Sequence, residues 1–307
     1  RLLAGSDLIG RVTDSTGAVI FGAAVTIRNL GTQNTRSALT SASGNYVLNL
    51  LPPGRYTVRI EATGFKTFVL SELILAAGDR ARADAQMQIG QMEETVEVLA
   101  GTPALQSDSS TLSTVITERP VQDLPLNGRN YIELAQLVAG GNAGPPAALS
   151  SGARPDDRRQ TSSISVNGQS DVLNNNMING IDNNERIIGT IGVRPSIDAI
   201  AEFRVQTSLY SAEVGRTPGA VVNIVTKSGT NSFHGSLYEF LRNDKVDARN
   251  FFSTTGPKPK YRQNQFGGSI GGPIRKNRTF FFGDYEGLRI VQGVTAVATV
   301  PTPSQTR

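Results

Sequence analysis

The 307-residue sequence has no cysteine, no tryptophan and a single histidine, His234. Without cysteine there are no disulfides, thiolate zinc sites or iron-sulfur clusters. One histidine rules out multi-histidine metal centres and leaves little scope for imidazole catalysis. No stretch approaches the roughly 18 apolar residues of a spanning helix. That leaves a soluble protein and a membrane β-barrel both open, because barrel strands alternate and give a weak hydropathy signal. Charge is sparse as well, at 18% of residues with a net +4, and "KPK" at 258–260 is the one basic cluster. The stripe of Lys and Arg interleaved with aromatics that a nucleic-acid interface needs is missing. The chain starts at Arg1, so any leader segment is expected to lie outside it.

What is present is enough for two domains or three small ones, with 38% hydrophobic residues and 32 glycines. Aromatics are concentrated late: 8 of the 12 Phe and 3 of the 7 Tyr follow residue 230. The last quarter is therefore expected to differ from the rest.

Residues 8–89 read as short strands between turns. "IGRVTD" and "AAVTIRN" alternate, "STGAV" and "NLGTQN" turn, Ser43-Gly44-Asn45 breaks the next run, and "LPPGRYTVRIEATGF" gives a Pro-Pro-Gly turn followed by a strand. This spacing predicts an all-β sandwich. In the last strand Tyr56, Val58 and Ile60 share one face and Arg55, Thr57, Arg59 and Glu61 the other, so the first set is expected inside. "GRVTDSTGAVIFGAAVTI", "TSASGNYVLNLLPPGRYTVRIEATGF" and "LILAAGDRARADAQM" resemble the carboxypeptidase regulatory-like domain, which implies a transthyretin-like sandwich over 7–90. That fold is grouped with carbohydrate-binding modules, but a tryptophan platform is lacking here.

Further on, "NYIELAQLV" predicts a short amphipathic helix with Ile132, Ala135 and Val138 on one face and Leu134 and Leu137 beside it, ended by Gly140-Gly141. A Gly/Pro/Ala-rich loop follows over 141–155. "SISVNGQS", "NNMINGIDNN", "IAEFRVQTS" and "GAVVNIVTKSGT" read as strands around Asn-Gly turns, making a small α+β domain. "NSFHGSLYEFLRN", "YRQNQFGGSIGGPI" and "NRTFFFGDYEGLRI" are then three segments of membrane-strand length. In the second, Asn264, Phe266, Gly268 and Ile270 alternate with Gln263, Gln265, Gly267 and Ser269. In the third, Phe281, Gly283 and Tyr285 alternate less cleanly with Phe282, Asp284 and Glu286. The first alternates poorly, since Leu237, Glu239 and Leu241 share a face.

"LPLNGRNYIELAQL", "SVNGQSDVLNNNMINGIDNNE" and "IDAIAEFRVQTSLYSAEVGRTPGAVVNIVTKSGTNSFHG" resemble the plug of TonB-dependent outer-membrane receptors, in particular the Oar-like group. The resemblance implies a mainly β chain: sandwich over 7–90, linker 91–103, α+β plug 104–229, and the first strands of an incomplete transmembrane β-barrel over 230–307. Such barrels close with about 22 strands, and an open sheet edge is not tolerated in lipid. Most of the barrel is therefore expected beyond Arg307.

The resemblance further implies that "ETVEVLA" in the linker is a TonB box, with Glu94, Thr95, Val96, Glu97 and Val98 held extended for a TonB-type energy-coupling protein to add to a sheet. Glu97 stands where the family more often has an apolar residue; the alternative is a connecting strand docked on the plug. Implied partners are outer-membrane lipid, the coupling protein and an extracellular substrate such as a glycan or metal chelate, with no nucleic acid. The protein is placed in the outer membrane, sandwich and plug on the periplasmic side or inside the barrel. Substrate loops would include 141–155 and the Asn-rich stretch with Asn174, Asn175, Asn176, Asp182, Asn183 and Asn184.

That stretch also invites a calcium reading. Placing Gly180 at the sixth loop position, however, puts Met177 at a ligand position and Arg186 where a bidentate Glu belongs, so turn chemistry is the better account. "VTKSG" lacks the upstream glycine spacing of a phosphate loop. Asp156 and Asp157 sit beside Arg154, Arg158 and Arg159 in a loop, and Asp182 and Glu185 in another, with no buried setting that would tune a pKa. The expectation is no enzyme activity, no cofactor and no metal site. Two rival functions remain at this level: a surface glycan-binding protein or adhesin that uses the sandwich, and an envelope or secretion barrel without uptake.

Overall fold

The structure, a computed structural model, describes residues 5–91, 94–99, 111–143, 164–185, 191–210, 214, 217–249 and 258–293. Residues 1–234 with 271–282 form one compact unit, and 235–270 with 283–307 a second.

The first unit opens with β1 (Ser6–Asp14), β2 (Ala24–Asn29), β3 (Thr35–Leu39), β4 (Asn45–Leu51), β5 (Gly54–Glu61), β6 (Thr67–Leu75), β7 (Arg80–Arg82), β8 (Ala85–Met87) and β9 (Thr95–Leu99). They form two sheets: β4-β1-β7, with β8 also on β1, and β3-β2-β5-β6-β9. Between the sheets lie Leu8, Val12, Tyr46, Val58, Ile60 and Leu73, each at most 2% exposed. Burial alternates along β5 as its sequence predicts, with Tyr56, Val58 and Ile60 inside. The connection at Pro52-Pro53 carries the chain from β4 in one sheet to β5 in the other. Proline suits this switch because neither residue has an N–H to leave unpaired.

The next domain contains β10 (Leu112–Thr117), α1 (Glu118–Asp123), β11 (Gly141–Ala143), β12 (Ile164–Val166), β13 (Asn175–Ile178), β14 (Ile181–Asp182), β15 (Ile200–Ser208) and β16 (Val221–Thr226). Five of the strands form one sheet in the order β10-β15-β16-β13-β14, and β11 pairs with β12. Residues 221–225 of β16 are all buried, as befits a strand covered on both faces. The Asn-Gly turns follow their chemistry. Asn179 and Gly180 have φ of 51° and 77°, and they close the two-residue hairpin that pairs Ile178 with Ile181. Two consecutive positive φ values define the turn whose twist matches that of the strands, and Asn-Gly is its preferred pair.

The helix expected at 131–138 is a 3-10 helix, Tyr131–Leu137, begun by Asn130, whose Oδ1 accepts from Ile132 N. With three residues per turn, the i, i+3 row Ile132, Ala135 and Val138 faces the core, each at most 4% exposed. The neighbouring row splits, Leu134 buried at 1% and Leu137 exposed at 61%.

β17 (His234–Asn243), β18 (Tyr261–Arg275) and β19 (Thr279–Gln292) form a three-stranded sheet in that order, with two strands longer than the ten residues expected. Burial in the second unit is inverted relative to a soluble sheet. Gln265 and Ser269 are 2% and 8% exposed, whereas Leu237, Leu241, Ile270 and Tyr285 on the opposite face are 56–93% exposed. Polar groups pair on the first face: Ser236 Oγ lies 3.0 Å from Ser269 Oγ, and Tyr238 donates to Glu286 at 2.7 Å. The rings of Phe266 and Tyr285 meet on the other face at 6.3 Å. Glu239 sits with Leu237 and Leu241 on the exposed face, so the irregular alternation of the first segment is real.

Candidate functional site

The linker segment has a partner inside the chain. β9 lies parallel to β6 as the last strand of the five-stranded sandwich sheet, in the register Thr67↔Thr95 to Ser71↔Leu99. The sandwich sheet thus extends past the boundary near residue 90 into the expected linker, and the strand docks on the sandwich and not, as the alternative had it, on the region after it. Thr67 N donates to Glu94 O at 2.8 Å. Lys66 Nζ pairs with Glu94 at 2.6 Å, and Ser71 Oγ donates to Glu97 Oε1 at 2.6 Å. Burial is slight: Val96 is half-buried, and Glu94, Thr95, Glu97 and Val98 are exposed. The sequence hid this pairing because β-strand partners are set by tertiary register, which a five-residue Val-rich run does not encode.

The Asn-rich stretch is mostly framework. Asn174, Asn176 and Asn183 are 7–9% exposed. Asn174 donates to Ile164 O at 2.8 Å and accepts from Ala220 N at 3.0 Å. Asn183 closes a two-bond ring with the backbone of Val193, at 2.8 Å each way. Asn184 accepts from Asn176 N at 2.9 Å and donates to Asn175 and Asp182 at 2.8 and 2.7 Å. A carboxamide offers both a donor and an acceptor, so it can substitute for a missing strand where the backbone leaves the ladder. Asp182 is the exposed member of the six. Of the Gly/Pro loop, 144–155 lies outside the described residues, as do Asp156, Asp157 and the arginines beside them. His234 Nδ1 is 3.0 Å from Ser232 O, and its ring stacks on Phe282 at 6.4 Å.

A charged cluster that sequence reasoning missed joins the sandwich to the next domain. On β15, Phe203 and Val205 are fully buried on the core side. Glu202 and Arg204 point the other way, onto the turn Ala76–Asp79 that follows β6. Arg204 is 4% exposed; its Nη1 reaches Asp79 Oδ1 at 2.9 Å and also donates to Ala77 O, while Nη2 donates to Ser113 Oγ at 2.9 Å. Glu202 Oε2 accepts from Ala77 N at 2.8 Å. Burial pushes the Glu202 carboxyl above its ordinary value, as does the Asp79 charge, while the Ala77 N–H and Arg204 pull it down. One signal was visible in the sequence: two charges at i and i+2 in a strand whose alternate residues are fully apolar. Their partner lies 125 residues away, beyond the reach of any local pattern.

Comparison with known proteins sets these parts in a family context. Residues 7–88 match the carboxypeptidase regulatory-like domain, and residues 225–307 match an outer membrane beta barrel domain. Over 289 residues the chain is 27% identical to the TonB-dependent transporter Oar of Myxococcus xanthus, an alignment that takes in 91% of this chain and 26% of that protein. The chain therefore spans about a quarter of the length of this curated relative. Among solved structures, the siderophore receptor PirA from Acinetobacter baumannii is 25% identical with a TM-score of 0.38, over 57% of this chain and 24% of that one. The outer membrane transporter YddB from Escherichia coli is 16% identical with a TM-score of 0.38, over 52% and 25%. The barrel-domain match and the transporter relative place this chain in the outer membrane.

Proposed function

We propose, for an outer-membrane chain with a carboxypeptidase regulatory-like domain at its head and a barrel segment at its tail, the function of a TonB-dependent transporter. It takes up a substrate too large for porins, gated by the domain over 104–229 acting as plug and powered from the periplasm by a TonB-type partner. The observation that carries this reading is the inverted burial of the last strands. Polar side chains are covered and apolar ones exposed, the pattern of a sheet whose outer solvent is lipid. It follows in one chain on a five-stranded sheet braced by buried asparagines and on an acidic, Val-containing edge strand. The mechanism is non-catalytic. Substrate binds from outside, Glu94–Val98 passes the pull inward through main-chain pairing, and the plug yields. On the plug, Asp182, exposed and accepting from Asn184 at 2.7 Å, is the substrate-contact candidate, while Asn174, Asn176 and Asn183 hold the loops in shape.

These 307 residues contain no cysteine, so any thiol introduced here is the only one in this region. Thr95→Cys in the full-length protein in cells should form a disulfide with a cysteine placed in the C-terminal strand of the TonB-type protein. Cysteines placed on β1 or β4, away from this strand, should not. Absence of the cross-link in correctly inserted protein overturns the coupling role of this segment.

A further inference from the structure

β9 has two edges, and the sandwich uses one of them. In a parallel pair, successive residues of a strand alternate between presenting N–H and C=O to the neighbour and presenting them away from it. Thr67 N bonds to Glu94 O, and Thr67 lies opposite Thr95. This register assigns the inward set to Glu94, Val96 and Val98, and the outward set to Thr95, Glu97 and Leu99. β9 ends the sheet order, so no described strand meets its outward set.

Protected edge strands carry a proline, a bulge or a lysine that discourages further pairing. β9 is only five residues long and carries Glu97, but its sequence TVEVL has no proline, bulge or lysine, and its register with β6 runs without a shift. Lys66 and Ser71 hold Glu94 and Glu97 while both carboxylates remain exposed. The sandwich thus keeps the segment extended, with part of its ordering entropy already met.

We propose that the coupling partner adds its strand to the outward edge of β9 while β9 stays on the sandwich, turning the five-stranded sheet into one of six. The fitting partner is an extended segment carrying Lys or Arg opposite Glu94 and Glu97. This rests on the coupling role of 94–98 proposed above and changes where the pull enters the molecule. Load passes from β9 to β6, and from the turn after β6 through Asp79 and Ala77 to Arg204 and Glu202 on β15. The regulatory-like domain is the handle, and the linker 100–110 is not the only connection to the plug.

The test uses the full-length protein carrying Ser71→Cys and Leu99→Cys, register partners across β6 and β9, with any cysteine outside these 307 residues replaced by serine. The probe is the purified C-terminal domain of the organism's TonB-type protein, titrated against the oxidised and then the reduced sample. Affinity within about twofold in the two states supports strand addition to docked β9. A loss of tenfold or more on oxidation, restored by reduction, shows that β9 must be released and overturns the inference while leaving the coupling role intact. A second arm uses edge parity. Glu97→Pro removes an outward N–H and should weaken capture at least tenfold more than Val98→Pro, which removes an inward one. The reverse order overturns the inference. Formation of the 71–99 disulfide in the Glu97→Pro background shows that β9 is still docked. If the unmodified chain fails to capture the probe, the coupling role falls and the inference with it.

Discussion

Glu202 shows how a single carboxyl reports the joint between the sandwich and the β10–β16 region. Its proton is bound more tightly in the folded chain than in the unfolded one, because burial and Asp79 disfavour the anion. A carboxyl shifted upward favours the fold in acid, and that contribution is lost as pH rises from the ordinary value of 4.5 through the higher folded value. Glu202→Gln should therefore gain stability relative to the parent as pH rises toward neutrality and flatten this part of the pH dependence. Urea midpoints measured across that range check it, and parallel curves for the two proteins would refute it. Gly10 makes a purely steric counterpart. A Cβ there would lie 2.0 Å from Ala83 O and 2.6 Å from the Tyr46 ring, and Tyr46 is 2% exposed with its hydroxyl donating to Ala83 O at 2.6 Å. Gly10→Ala must displace a buried ring or a strand, at a cost of about 1–3 kcal/mol, readable as a lowered melting temperature.

At the scale of elements, β9 and β15 mark opposite ends of the stability range. β9 holds to β6 by a short ladder with one half-buried valine, and each hydrogen bond contributes roughly 0.5–1.5 kcal/mol net. Local opening of β9 should therefore be cheap. Hydrogen exchange is expected to show Val96 and Val98 amides exchanging well before those of β5; equal protection would mean that β9 is part of the global core. β15, by contrast, is packed on Phe203 and Val205 on one side and pinned by Arg204 on the other. Removing one partner of a buried pair strands the other charge and costs about 3–5 kcal/mol. Arg204→Met should destabilise by that order, while Arg204→Met with Asp79→Asn should recover part of the loss. Denaturant unfolding of both variants distinguishes a true pair from a bystander arginine.

For the whole molecule, the last strands decide the solvent. Ile270, 56% exposed on the apolar face, should not accept a charge in lipid: Ile270→Arg is expected to cost about 2–4 kcal/mol near the membrane midplane. Gln263→Arg on the polar face should cost far less. Unfolding of the full-length protein from bilayers measures both, and equal effects would refute the assignment of faces. The sequence alone determined that face pattern, as it did the sandwich core of Tyr56, Val58 and Ile60 and the Asn-Gly hairpin at 179–180. Each is written in a period of two residues or in the backbone freedom of one or two, which are local properties. Only the tertiary structure decided that β9 completes the sandwich, that Asn174, Asn176 and Asn183 are braces, and that Asp79 meets Arg204. These depend on strand register and on groups distant along the chain, and the partner of a buried charge or an edge strand is chosen by packing that no local stretch encodes.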